Sequence, residues 1–217
     1  MSHNCFISFK KEDLEYCKKI AAILDVKSIS VDYLNEWINS EDLNYVIQKI
    51  RSCYMDGTSV TLYLIGKHSS ENEGLDEYGR SRQSFMIREL QATLLDKKSN
   101  RLSGLVGIVL PEMESLIYGG SYHCEHCGKE IDIVNINDNT VLREFSANYW
   151  LKMDSCGHYS IEGRYPILVK YADFMSNPDK YINEAFAKTQ SPIADQVHYK
   201  DIEHEGMRSF EVSQCIR

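Results

Sequence analysis

The chain has 217 residues, of which 43% are hydrophobic and 26% charged, enough apolar material for one sizeable core and too much for a disordered polypeptide. Its formal net charge is −8, and Lys and Arg never run longer than a pair such as Lys10-Lys11, so no nucleic-acid partner is expected. No stretch approaches the ~18 apolar residues of a membrane span, and Met1-Ser2-His3-Asn4 is no secretory leader, so no membrane partner and a cytoplasmic location are expected.

Asn4 to Phe9 reads as a buried strand, and Leu14, Cys17, Ala21 and Leu24 then recur at helical spacing. Ser28 to Tyr33 alternates as a second strand. Leu34 to Asn39 has no clear period, and Ser40 is placed to cap a helix whose stripe is Leu43, Val46, Ile47, Ile50 and Tyr54. After the Asp56-Gly57 turn, Thr58 to Ile65 reads as a central strand. Gly66 to Gln83 is polar and lacks a helical stripe, so it is expected to be a long loop. Ser84 then caps a helix with Ile87, Leu90 and Leu94 toward the core, while Glu89 falls away from that stripe, one turn beyond Phe85. Gly104 to Leu110 is a fourth buried strand, closed by Pro111.

Between Tyr118 and Gly163 the simple alternation stops. Gly119-Gly120, a Cys-x-x-Cys turn, an Asn/Asp-rich bend at 135–139 and strand-like pieces at 141–145 and 149–153 suggest an inserted β-hairpin subdomain over 118–163. Tyr165 to Tyr171 resumes as a fifth core strand, and Asn177-Pro178 opens a last helix with Tyr181, Ile182, Ala185 and Phe186 on its apolar face. This organisation gives one domain over 1–188, and the weak pattern of 189–217 gives a C-terminal arm or tail. Strands alternating with helices imply a flavodoxin-like α/β fold of three layers, with a five-stranded parallel sheet in the order 2-1-3-4-5. Ligands of such sheets bind at the carboxyl ends of the strands, which gathers the turn after Phe9, the loop after Tyr33 and the approach to Glu89 at one mouth.

Seven cysteines, in a chain too large to need disulfide staples, suit a reducing compartment. Cys5, Cys17 and Cys53 sit in apolar patterns and read as small core residues. Cys124-Glu125-His126-Cys127 and Cys156-Gly157-His158 instead have the layout of a zinc ribbon, with Gly128 and Gly157 allowing tight turns. Cys124, Cys127, Cys156 and His158 satisfy a tetrahedral, structural zinc ion, with His123 and His126 as spare ligands.

Phe6-Ile7-Ser8-Phe9 followed by Asp13 resembles the opening strand of Toll/interleukin-receptor (TIR) domains. Thr58 to Gly66 is similar to the third strand of the TIR-like family that includes the ThsB proteins of Thoeris anti-phage systems, and Arg88-Glu89-Leu90 falls where that family carries its glutamate. Phe85-Met86 stands where those proteins usually have Trp-Val. The resemblance covers 4–110 with motifs and the rest by pattern. It implies an enzyme with NAD as substrate, Glu89 as the catalytic carboxylate, and Ser8, Phe9 and Phe85 at the nucleotide. It further implies a signalling nucleotide, a cyclic ADP-ribose isomer or an ADP-ribose conjugate, that activates a separate effector protein. Because every cell needs its NAD pool, such an enzyme is expected to be weak at rest and raised by a phage-derived signal or by self-association, with the 66–83 loop holding Glu89 from a productive pose.

Bond chemistry agrees with a lone carboxylate. The leaving nicotinamide nitrogen is already cationic, so no acid is needed, and the demand is for negative charge beside an oxocarbenium-like ribosyl carbon. Two other classes compete: a non-catalytic TIR-like docking module, in which the sheet only docks a partner and changing Glu89 has no effect, and a flavodoxin-like nucleotide-binding or receiver domain using Glu12, Asp13 and Lys170; taken alone, Glu89 also fits a solvated glutamate on an amphipathic helix.

Overall fold

A computed structural model describes residues 3–33, 43–70, 84–95 and 102–198. Five parallel strands form one sheet: β1 (Cys5–Ser8), β2 (Val31–Tyr33), β3 (Val60–Ile65), β4 (Gly104–Val109) and, after an antiparallel hairpin of β5 (Tyr118–His123) and β6 (Glu130–Val134), β7 (Ile167–Lys170). The order across the sheet is β2-β1-β3-β4-β7, so the expected flavodoxin-like order holds, with β7 as its fifth strand. Ser8 pairs with Tyr63 and Ile65 with Val109, which fixes the register of the carboxyl ends.

Every position of β1, β3 and β4 is buried, because parallel strands are covered on both faces. Alternation still sorts the side chains. Cys5, Ile7, Val60, Leu62, Leu64, Val106 and Ile108 face one layer, where α1 (Leu14–Val26), α6 (Tyr171–Ser176) and α7 (Pro178–Lys188) contribute Cys17, Ile20, Phe174 and Ile182. Phe6, Tyr63, Ile65, Leu105 and Val109 face the other, covered by α2 (Leu43–Cys53), α3 (Ser84–Leu94) and α5 (Arg143–Tyr149). Gly104 has no Cβ because the α7 backbone at Ala185 packs directly on it.

Several expectations are corrected. The second strand is confined to Val31–Tyr33. The 141–145 and 149–153 pieces are not strands: Arg143–Tyr149 is helix α5, and Val141, Phe145 and Tyr149 join the core of Tyr63, Met86 and Leu90. The hairpin occupies only 118–134, and a short helix, α4 (Glu114–Ile117), leads into it. Asn177 caps α7 as expected, accepting from Lys180 N. Cys5 and Cys17 are core residues, whereas Cys53 is only half-buried. The expectations for 34–42, 71–83 and 199–217 lie outside the described residues. No helix among the described residues is long and apolar enough to cross a membrane.

Candidate functional site

Period-two alternation turns Ser8 to the same face as Phe6, toward α3. On α3, Met86, Leu90 and Leu94 form one buried row, and Glu89, Ala92 and Thr93 form a second beside it. The helix therefore buries a wider arc than the Leu90 row alone, and Glu89, expected off the stripe, is only 4% exposed. The fully buried Ser8 hydroxyl donates to Glu89 Oε2 at 2.7 Å, joining groups 81 residues apart. Behind this pair, Thr93 Oγ1 donates to the Glu89 carbonyl at 2.8 Å and lies 2.8 Å from Thr61 Oγ1 on β3. The helix is thus keyed to both β1 and β3 by hydroxyl contacts.

Burial pushes the Glu89 carboxyl up to about 8, with the Ser8 hydrogen bond pulling the other way. An unfolded-chain carboxyl ionises near 4.5, so between that pH and about 8 the folded chain holds the extra proton. The stabilising contribution is complete below the lower value and lost as pH rises through the upper one. Glu89→Gln lacks this slope. Denaturant unfolding is therefore expected to show the variant gaining on the parent protein between pH 5 and pH 9, and an unchanged difference would contradict it.

Phe9 is half-buried and meets Tyr33 edge-on, with ring centroids 5.8 Å apart. The backbone of Phe85 lies in α3, but its side chain is outside the described residues. Asp13, in the turn before α1, is buried, and its Oδ2 has no hydrogen-bond partner among the described residues. Burial pushes its carboxyl up to about 6, reinforced by Glu112 and Glu12. Its carboxylate occupies the space that a Cβ would take at Gly66, the residue after β3, so a larger residue there would have to displace the Asp13 side chain. The Phe-Ile-Ser-Phe opening and Asp13 were visible in sequence. The contact of Asp13 with Gly66 was not.

Two cavities of about 580 and 260 Å³ share Ile161, Ile167 and Glu184 in their walls; neither is lined by Ser8, Phe9 or Glu89.

The cysteines form a separate centre. Cys124 and Cys127 lie on the turn joining β5 to β6, and Cys156 and His158 on a second turn. One donor atom from each of the four lies within 4.8 Å of the others, so the cluster can hold a metal ion. Cys124 Sγ is 3.6 Å from Cys156 Sγ, and Cys127 Sγ is 3.9 Å from His158 Nδ1. Two thiolates ~2.3 Å from one tetrahedral ion stand about 3.8 Å apart, so the donor set fits. Gly128 (φ 68°) and Gly157 (φ 82°) take the left-handed turns. His123 is not a ligand in this arrangement; its Nδ1 lies 3.2 Å from Glu130 Oε1.

Asp154 was not singled out in sequence, although an Asp two residues before a turn cysteine is the signal of an Asx turn. Its Oδ1 accepts from both Cys156 N and His158 N at 2.9 Å, presetting the second ligand turn. Arg164 ties this segment to the core, donating to Tyr149 OH and Tyr159 O at 2.6 Å each.

No family model, curated protein or solved structure matches this chain.

Proposed function

We propose that the chain is a TIR-like, NAD-consuming enzyme of bacterial anti-phage defence that cleaves the nicotinamide–ribose bond with Glu89 as its essential carboxylate. The observation that carries this reading is the Ser8–Glu89 pair: a buried carboxyl hydrogen-bonded at the carboxyl end of β1. In a sheet of order β2-β1-β3-β4-β7 the chain reverses direction of winding between β1 and β3, and ligands of such folds bind at that point. A carboxylate in a dry site is worth more to a developing oxocarbenium centre than one in water. The TIR-like motifs quoted above support the same reaction, with a cyclic ADP-ribose isomer or an ADP-ribose conjugate as the signal that reaches a separate effector.

A carboxyl buried and held protonated near neutral pH is a poor catalyst until it ionises. The enzyme is accordingly read as weak at rest, with activity raised by a phage-derived activator or by self-association. The Cys124, Cys127, Cys156 and His158 centre is read as closed, structural zinc. When bound, the ion contributes cross-linking of the two ligand turns and nothing to NAD chemistry.

Nicotinamide release from NAD by the purified protein, followed in dilute and in concentrated samples, tests the reading. Release is expected in both, faster per molecule when concentrated. Absence of release at every concentration and with infected-cell lysate added would remove the enzymatic assignment and favour the docking-module alternative. The receiver alternative has less behind it: β3 ends in Ile65-Gly66 with no aspartate, and Lys170 lies 3.8 Å from Glu114 and over the Tyr118 ring.

A further inference from the structure

We infer that Ser8 is a positioning residue for Glu89: it fixes the carboxylate's orientation and favours its ionised form, and it does so from behind, without touching the nucleotide. This inference rests on the reading of Glu89 as the catalytic carboxylate. Ser8 is fully buried on a strand whose every residue is buried, and its hydroxyl hydrogen is committed to Glu89 Oε2. A donor aimed at one oxygen leaves the other free to face a ribosyl centre, and a hydrogen bond to the charged form favours that form.

Among the described residues no ionised neighbour shares this task. Burial and the Ser8 hydroxyl are the two influences on the Glu89 carboxyl. Several titratable groups on the elements around α3 have partners of their own. On α2, Arg51 donates to Leu95 O and Lys49 lies over the Tyr45 ring; on α5, Glu144 accepts from Gln91 Nε2; on β3, the Tyr63 phenol donates to Ser69 O. On α3 itself, Arg88 donates to Gln91 Oε1 through one terminal nitrogen, while its Nε is buried without a partner among the described residues and does not act on the Glu89 carboxyl. On β1, Cys5 alternates to the opposite face. Ser8 is thus the one group described that opposes the burial of the charge.

The test titrates Glu89 directly in full-length protein labelled with ¹³C at glutamate carboxyls, its resonance assigned by its loss in Glu89→Gln. In Ser8→Ala the midpoint is expected to rise by about one pH unit, and kcat for nicotinamide release at neutral pH to fall about tenfold with KM unchanged. The acid limb of the kcat–pH profile should move by the same amount, and Ser8→Thr, which keeps the hydroxyl, should restore both. An unchanged midpoint in Ser8→Ala overturns the inference whether or not NAD is turned over. A raised KM with unchanged kcat also overturns it, because that is the mark of a direct nucleotide contact. If the midpoint shifts but wild-type protein releases no nicotinamide, the catalytic reading of Glu89 fails, and Ser8's catalytic role with it. Should Ser8→Thr fail to fold, the Ser8→Ala titration decides alone.

Discussion

Glu89→Gln is expected to lower nicotinamide release from NAD by ~10²–10³-fold, the cost typical of removing one preorganised electrostatic group from a transition state. The substitution keeps the shape of the side chain and removes the charge that the ribosyl cation needs. Its effect on folding is expected to be small. A neutral amide can still accept from the Ser8 hydroxyl, and the site already favours an uncharged occupant, since burial pushes the carboxyl up to about 8. The variant should therefore melt at or above the wild-type temperature at pH 8 and above while failing to turn over NAD. Circular dichroism melts beside initial rates separate the two effects. A folded Gln variant with wild-type rates would contradict the assignment.

The second large effect concerns the metal. Cys124→Ser, or removal of the ion by a chelator, is expected to destabilise the protein by on the order of 3 kcal/mol, or roughly 10 °C in melting temperature for a chain of this size. Isolated zinc modules depend on the ion for folding altogether, at ~10–16 kcal/mol of apparent binding energy. Here the loss should be partial, because Phe145, Tyr149 and Tyr165 anchor the same segment in the core without help from the ion. The lost structure should be the turn between β5 and β6 and the 154–158 turn, whose backbone is organised by Asp154. Elemental analysis is expected to give one zinc per chain, and amide exchange to localise the loosening. Full thermal stability with no bound metal would contradict the structural role. Since the centre is separate from Glu89, the NAD turnover of whatever folded variant remains should be little changed.

How far the sequence revealed this arrangement varies from element to element. β1, β3 and β4 were legible because a strand buried on both faces reads as a short continuous apolar run bounded by polar or turn residues. α5 was missed although Val141, Phe145 and Tyr149 recur every four residues, because the Asn/Asp-rich bend before it and its aromatic content read as hairpin. The ligand set Cys124, Cys127, Cys156 and His158 was legible from spacing, since metal coordination demands particular residue types at short range. His158, the sequence's first choice with His123 and His126 as spares, is the histidine in the cluster, while His123 turns to Glu130. Least legible was the burial of Glu89. A helical wheel places a residue relative to its own helix, and this one is buried where α3 packs on the sheet, meeting Ser8, 81 residues away in the chain.

The central claim is best tested by incubating purified protein with NAD and resolving all products by mass spectrometry, with Glu89→Gln in parallel. The account predicts nicotinamide in wild-type samples, accompanied by a nucleotide at the mass of a cyclic ADP-ribose isomer or an ADP-ribose conjugate, and neither product with the variant. Intact NAD in every wild-type sample, including concentrated protein and protein supplemented with infected-cell lysate, would contradict it, as would equal nicotinamide release by the folded Gln variant.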